Sequence, residues 1–96
     1  MSKTTNPIQT ETLAAFASKL GVAVEDILSH CRKTELVDAR SMIVAILIER
    51  PHVRQLDIAA LLDISQAAVS KLLARHHALK GFDSRYRMKW EALQNQ

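Results

Sequence analysis

The stretch DIAALLDISQAAVSKLLARH, residues 57–76, decides the fold. It is two apolar helical patterns joined by only a few residues. Ile58, Ala59 and Leu62 share one face at helical spacing, and Val69, Leu72 and Leu73 share another. Asp63 stands where the first helix must stop, and Asp is among the few non-glycine residues that tolerate a left-handed backbone. Ile64 plugs the gap between the two helices. Ser65 is a strong N-cap for the second. Ala59 is small where the helices would cross closely. Together these features predict a helix-turn-helix corner.

Outward from this corner the helical spacing continues in both directions. Asn6, Pro7 and Gln9 read as a helix start after a disordered tail over 1–5. Leu13, Phe16, Ala17 and Leu20 form an amphipathic face, and Gly21 is placed to end that helix in a left-handed cap. Val24, Ile27, Leu28 and Cys31 repeat the spacing in a short second helix, with Glu25 and Asp26 in its favourable first turn. A third helix runs from about Glu35 to Glu49. Its middle is apolar nearly all round, which marks it as the central buried helix. Pro51 disfavours helical geometry at Arg50. A fourth helix covers roughly Arg54 to Leu62, and a fifth starts after Ser65 and runs to about Leu79, closed by Gly81. A sixth is expected from Ser84 to Leu93. The expected fold is all-α, a compact bundle of about six helices. Residues 6–80 form the helix-turn-helix domain. Residues 81–96 form a terminal helix that either packs back through Tyr86, Trp90 and Leu93 or pairs with a second copy in a homodimer.

Composition agrees with one small domain. Ninety-six residues suffice for a single core. Gly and Pro number two each, too few for a turn-rich sandwich or barrel. The longest uncharged apolar run, SMIVAILI over 41–48, is far short of the roughly 20 residues that span a bilayer. No membrane partner is expected, and no apolar signal stretch opens the sequence. A single cysteine excludes an internal disulfide framework and fits a reducing, cytoplasmic compartment. The net charge of +3 is unevenly placed. Residues 1–63 hold seven Lys/Arg against eight Asp/Glu, whereas residues 64–90 hold six Lys/Arg against Asp83 alone. The second segment is a candidate polyanion footprint.

QLDIAALLDISQAAVSKLLA resembles the helix-turn-helix of bacterial DNA-binding proteins, with Asp63 where that pattern usually has Gly. Upstream, GVAVEDILSHCRKTELVDARSMIVAIL, residues 21–47, resembles the carboxy-terminal DNA-binding domain of the chromosomal replication initiator DnaA. That domain belongs to the Trp repressor-like superfamily. The resemblance covers roughly residues 10–80. It implies that Arg32 and Lys33 match a basic loop entering the minor groove, and that Arg40 matches the Arg opening the long helix. The family's D-H-T-T is absent, the stretch here being ISQAAV, so no particular DNA sequence is implied. The chain carries no G-x-x-x-x-G-K-[ST] phosphate loop.

The expected function is therefore double-stranded DNA binding, as a small transcriptional regulator or accessory DNA-binding module. The second helix of the corner would enter the major groove with its first turn against base edges. Its outward residues are Ser65, Gln66, Ala67, Ser70, Lys71 and Arg75. Gln66 suits an adenine edge and Ala67 a thymine methyl, whereas Lys71 and Arg75 suit phosphates. The alternative is a protein-interaction adaptor presenting a helical surface to a protein partner, a reading favoured by Glu35 and Asp38 in the loop region. Enzyme chemistry has little support. His76 and His77 are adjacent and diverge by about 100° on a helix, so a shared metal is disfavoured, and surface or capping roles are expected for them. Cys31 is expected in the core. No cofactor, metal or small-molecule substrate is expected.

Overall fold

The computed structural model describes residues 10–94. Among these the regular elements are six helices in the order α1 (Thr10–Leu20), α2 (Val24–Leu28), α3 (Thr34–Ile48), α4 (Gln55–Leu62), α5 (Gln66–Phe82) and α6 (Ser84–Gln94). The architecture is the expected all-α bundle. The tail over 1–5 and the start at Asn6 and Pro7 lie outside the described residues.

The core is built around α3. Met42, Ile43, Val44 and Leu47 are wholly buried. Each such side chain removed from water contributes roughly 1.5–3 kcal/mol, which explains why a helix apolar on every side occupies the centre. Leu13, Phe16 and Ala17 of α1 and Ile58, Leu62 and Val69 of the corner join it in one core. Tyr86, Trp90 and Leu93 of α6 are buried in the same core, so the terminal helix packs back on its own bundle.

Three described residues are left-handed, Gly21, Asp63 and His52, the last with φ 68° in the turn after α3. Gly21 has φ 73°, and the Val22 N–H reaches back to the Ala17 carbonyl at 3.0 Å. Asp63 has φ 57° and ψ 48°. Its own N–H bonds the Ala60 carbonyl, and the Ile64 N–H bonds the Ala59 carbonyl at 3.0 Å. This pair of back-bonds satisfies the last carbonyls of α4 and turns the chain at once. Ser65 then caps α5, its Oγ accepting from the Ala68 N–H at 3.0 Å. Both local expectations at the corner hold.

Three expectations are corrected. The second helix stops at Leu28, so Cys31 lies in the following loop, partly exposed, rather than on an apolar helix face. Gly81 does not close α5, which continues through it to Phe82. The stop comes at Asp83, whose carboxylate instead accepts the Tyr86 N–H at 3.0 Å and starts α6. His76 is not a surface or capping residue. It is 1 % exposed, with its ring centroid 4.3 Å from that of Trp90 and Nδ1 2.8 Å from the Tyr86 hydroxyl.

Candidate nucleic-acid interface

Helix α5 buries Val69, with Leu72 and Leu73 partly covered, and exposes Gln66, Ala67, Ser70, Lys71 and Ala74. At about 100° per residue these exposed side chains form two flanks on either side of a ridge through Ala67 and Ala74. Gln66 and Ser70 lie toward α4. Lys71 and Arg75 lie toward the loop after α2.

The loop flank borders a groove of about 450 Å³, lined by Ser29, Cys31 and Arg32 on one side and by Ala68, Lys71, Leu72 and Arg75 on the other. Val37 and Ile64 contribute to its apolar lining. The two sequence-predicted contact regions thus meet across one groove. Arg32 belongs to it. Lys33, its neighbour, does not: it borders a separate concavity with Gly21, Val22 and Glu35. The turn into α3 at Lys33, the residue preceding its first turn, separates the two.

Arg40 is the residue whose expected role changes most. It is 7 % exposed. Nε donates to the Ile27 carbonyl at 2.8 Å and Nη1 to that of Cys31 at 2.9 Å. Nη2 donates to the carbonyls of Asp26 and Ser29 at 3.0 and 2.7 Å. Four of the five guanidinium N–H groups are thereby spent on backbone. Arg40 cannot also serve as a DNA contact without abandoning them. It is a brace that gives the end of α2 and residues 29–31 their path.

Ser70 and Arg75 are also engaged within the chain. The Ser70 hydroxyl donates to Gln55 Oε1 of α4 at 2.8 Å. Arg75 bonds Asp38 of α3 through Nη2 and Nε. Its side chain keeps 37 % exposure and lines the groove, whereas Asp38, 16 % exposed, lies outside the groove's lining. By contrast, Gln66, Ala67, Lys71, Arg32 and Lys33 are exposed; Ser65 is exposed too, but its Oγ caps α5. The engagement of Gln55 was missed at the sequence level. The available signal was its position at the start of α4, which the tight corner folds back over the second turn of α5.

Behind the groove, α5 is anchored by a buried polar cluster. Burial, with smaller effects from Lys80 and His77, lowers the His76 pKa to about 4, so the ring is neutral near pH 7. Burial and the Asp38 carboxylate raise the Tyr86 pKa well above its usual value, and Arg75 and the nearby Ser41 hydroxyl only partly offset them. Ser41 Oγ in turn donates to the Val37 carbonyl at 3.0 Å. These groups are satisfied as a neutral network, with no buried side-chain nitrogen or oxygen left unpaired among the described residues.

Among the described residues no group of three or more His, Cys, Asp or Glu side chains could hold a metal ion. No helix there is long and apolar enough to cross a membrane. Comparison with family models, curated proteins and solved structures found no match for the chain.

Proposed function

We propose that this chain binds double-stranded DNA, with the amino-terminal half of α5 in the major groove and Arg32 reaching the adjoining backbone. In this reading it is a small transcriptional regulator or accessory DNA-binding module of the cytoplasm, built like the carboxy-terminal domain of the DnaA initiator. The observation that carries the reading is the groove in which Arg32, Lys71 and Arg75 converge beside the exposed first turn of α5. Cations on the flank suit phosphates, which supply register and affinity, while Gln66 and Ala67 at the tip suit base edges.

The test is a fluorescence-anisotropy titration of a labelled duplex at several salt concentrations. Three to five neutralised phosphates give a slope of log K against log salt of roughly −3 to −5. No binding at low salt, or a flat salt response, overturns the proposal and moves the surface to the second reading, an adaptor for a protein partner.

A further inference from the structure

We propose that Gln55 is a phosphate-contacting residue of this interface and that Ser70 acts through it, as a positioning residue. The inference rests on the DNA-binding reading above. It concerns the flank of α5 that faces α4, opposite the cationic groove.

The starting point is the hydrogen bond from Ser70 Oγ to Gln55 Oε1, 2.8 Å long and formed between two helices across the corner. Ser70 lies four residues beyond Gln66, roughly 40° round the helix, so it shares the flank of the base-reading position. Its one hydroxyl proton is given to Gln55 and is not available to a ligand. Gln55 is left with both donors of its amide nitrogen. Neither has a partner within the described structure, and no buried side-chain polar atom is unpaired there, so Nε2 faces solvent.

A free surface glutamine samples many rotamers, and ordering it on binding costs free energy. Here the tether to Ser70 has already restricted it, which lowers that cost. The geometry of the duplex then supplies the ligand. A helix in the major groove is walled by two phosphate strands, with the groove about 12 Å wide between them. On the loop flank, one strand meets Arg32, Lys71 and Arg75. On the α4 flank, the other strand meets Gln55, whose paired N–H groups suit a phosphate oxygen. Neighbouring Arg54 is 74 % exposed but paired with Asp57 at 3.6 Å, so charge at this end of α4 is balanced and the contact rests on the Gln55 amide.

The decisive variant is Gln55→Glu. A glutamate retains an oxygen acceptor for the Ser70 hydroxyl and suits the first turn of a helix. It removes the two donors and sets a carboxylate against the phosphate. Ala60→Glu is the charge-matched control, about 140° round α4 from Gln55. Binding of each variant to one duplex is measured by anisotropy, with thermal melting to establish folding. Gln55→Ala should weaken binding about threefold to tenfold, the loss of one hydrogen-bonded contact. Gln55→Glu should weaken it about tenfold or more, and Ala60→Glu only about twofold. Ser70→Ala should cost less than Gln55→Ala and add nothing to it in the double variant. Wild-type affinity in Gln55→Glu, or an equal loss in Ala60→Glu, overturns the proposal while DNA binding itself stands. Absence of binding by the wild-type chain overturns both.

Discussion

Asp38 holds Arg75, with Oδ1 2.8 Å from Nη2 and 3.2 Å from Nε. The pair ties α3 to α5 next to the candidate groove. It also sets a negative charge beside the surface proposed to face phosphate, so part of the local cationic field is neutralised within the chain. Asp38→Asn should leave Arg75 in place but unneutralised. Duplex affinity at low salt should rise roughly twofold to fivefold, and the salt slope should steepen by about one. Unchanged affinity and slope in the anisotropy titration would show that Arg75 does not face phosphate.

Arg32 and Lys33 are adjacent in sequence, yet they border different concavities. Their replacements should therefore diverge. Arg32→Ala should weaken duplex binding by about 1 kcal/mol, while Lys33→Ala should stay within about 0.5 kcal/mol of wild type. Both variants should keep the helical circular dichroism and melting temperature, since both side chains are exposed. Equal losses would mean that the loop reaches DNA in a different orientation.

Gln66 and Lys71 should separate sequence reading from affinity. Gln66→Ala should cost about 1–3 kcal/mol on a site selected from a random duplex pool, and much less on random DNA. Lys71→Ala should weaken all duplexes alike and reduce the salt slope by about one. If Gln66→Ala weakens selected and random DNA equally, bases are not read through its amide.

His76 gives the fold an acid-sensitive joint. In an unfolded chain the imidazole titrates near 6.5, whereas burial, with Lys80 and His77, lowers it to about 4 here. Between those values the unfolded chain binds more protons than the folded one. Stability is therefore fully present above about pH 6.5 and falls as the pH drops toward 4. From pH 7 to pH 5 the expected loss is about 2 kcal/mol. Urea melts at those two pH values measure it. His76→Gln should be less stable at pH 7 and should lose most of the pH dependence. A wild-type midpoint that does not move between pH 7 and pH 5 would contradict this account.

What was legible in the sequence was what neighbouring residues decide. Asp63 and Ser65 act within four residues of themselves, and the corner they make is the one their chemistry implies. The apolar spacing of α3 likewise led directly to the core. Where a distant side chain intervenes, local reading fails. The pattern Val24, Ile27, Leu28, Cys31 continues past the true end of α2. The carbonyls of Asp26 and Ile27 are engaged by Arg40, 14 and 13 residues away, together with those of Ser29 and Cys31 in the loop. The resemblance alone makes Arg40 a candidate ligand contact, and tertiary hydrogen bonding makes it structural. His76 was misplaced for the same reason: only the return of α6 brings Tyr86 and Trp90 over it. Gly81 looked like a helix stop, but Asp83 supplies a stronger start signal for α6 two residues later.

Because α5 runs unbroken from Gln66 to Phe82, its two ends are a single rod about 25 Å long. The far half is clamped by His76 against Tyr86 and Trp90, and the near tip carries Gln66, about 15 Å away along the axis. Buried Val69 anchors the near half as well, so the rod moves as one body with the core. A tilt of about 5° at the clamp would swing the tip by about 1 Å, enough to take a side-chain amide out of register with a base edge. The aromatic residues of α6 thereby set the aim of a surface they never touch. If α5 reads DNA as proposed, repacking Trp90 should retune sequence preference while leaving every groove-facing residue as it was.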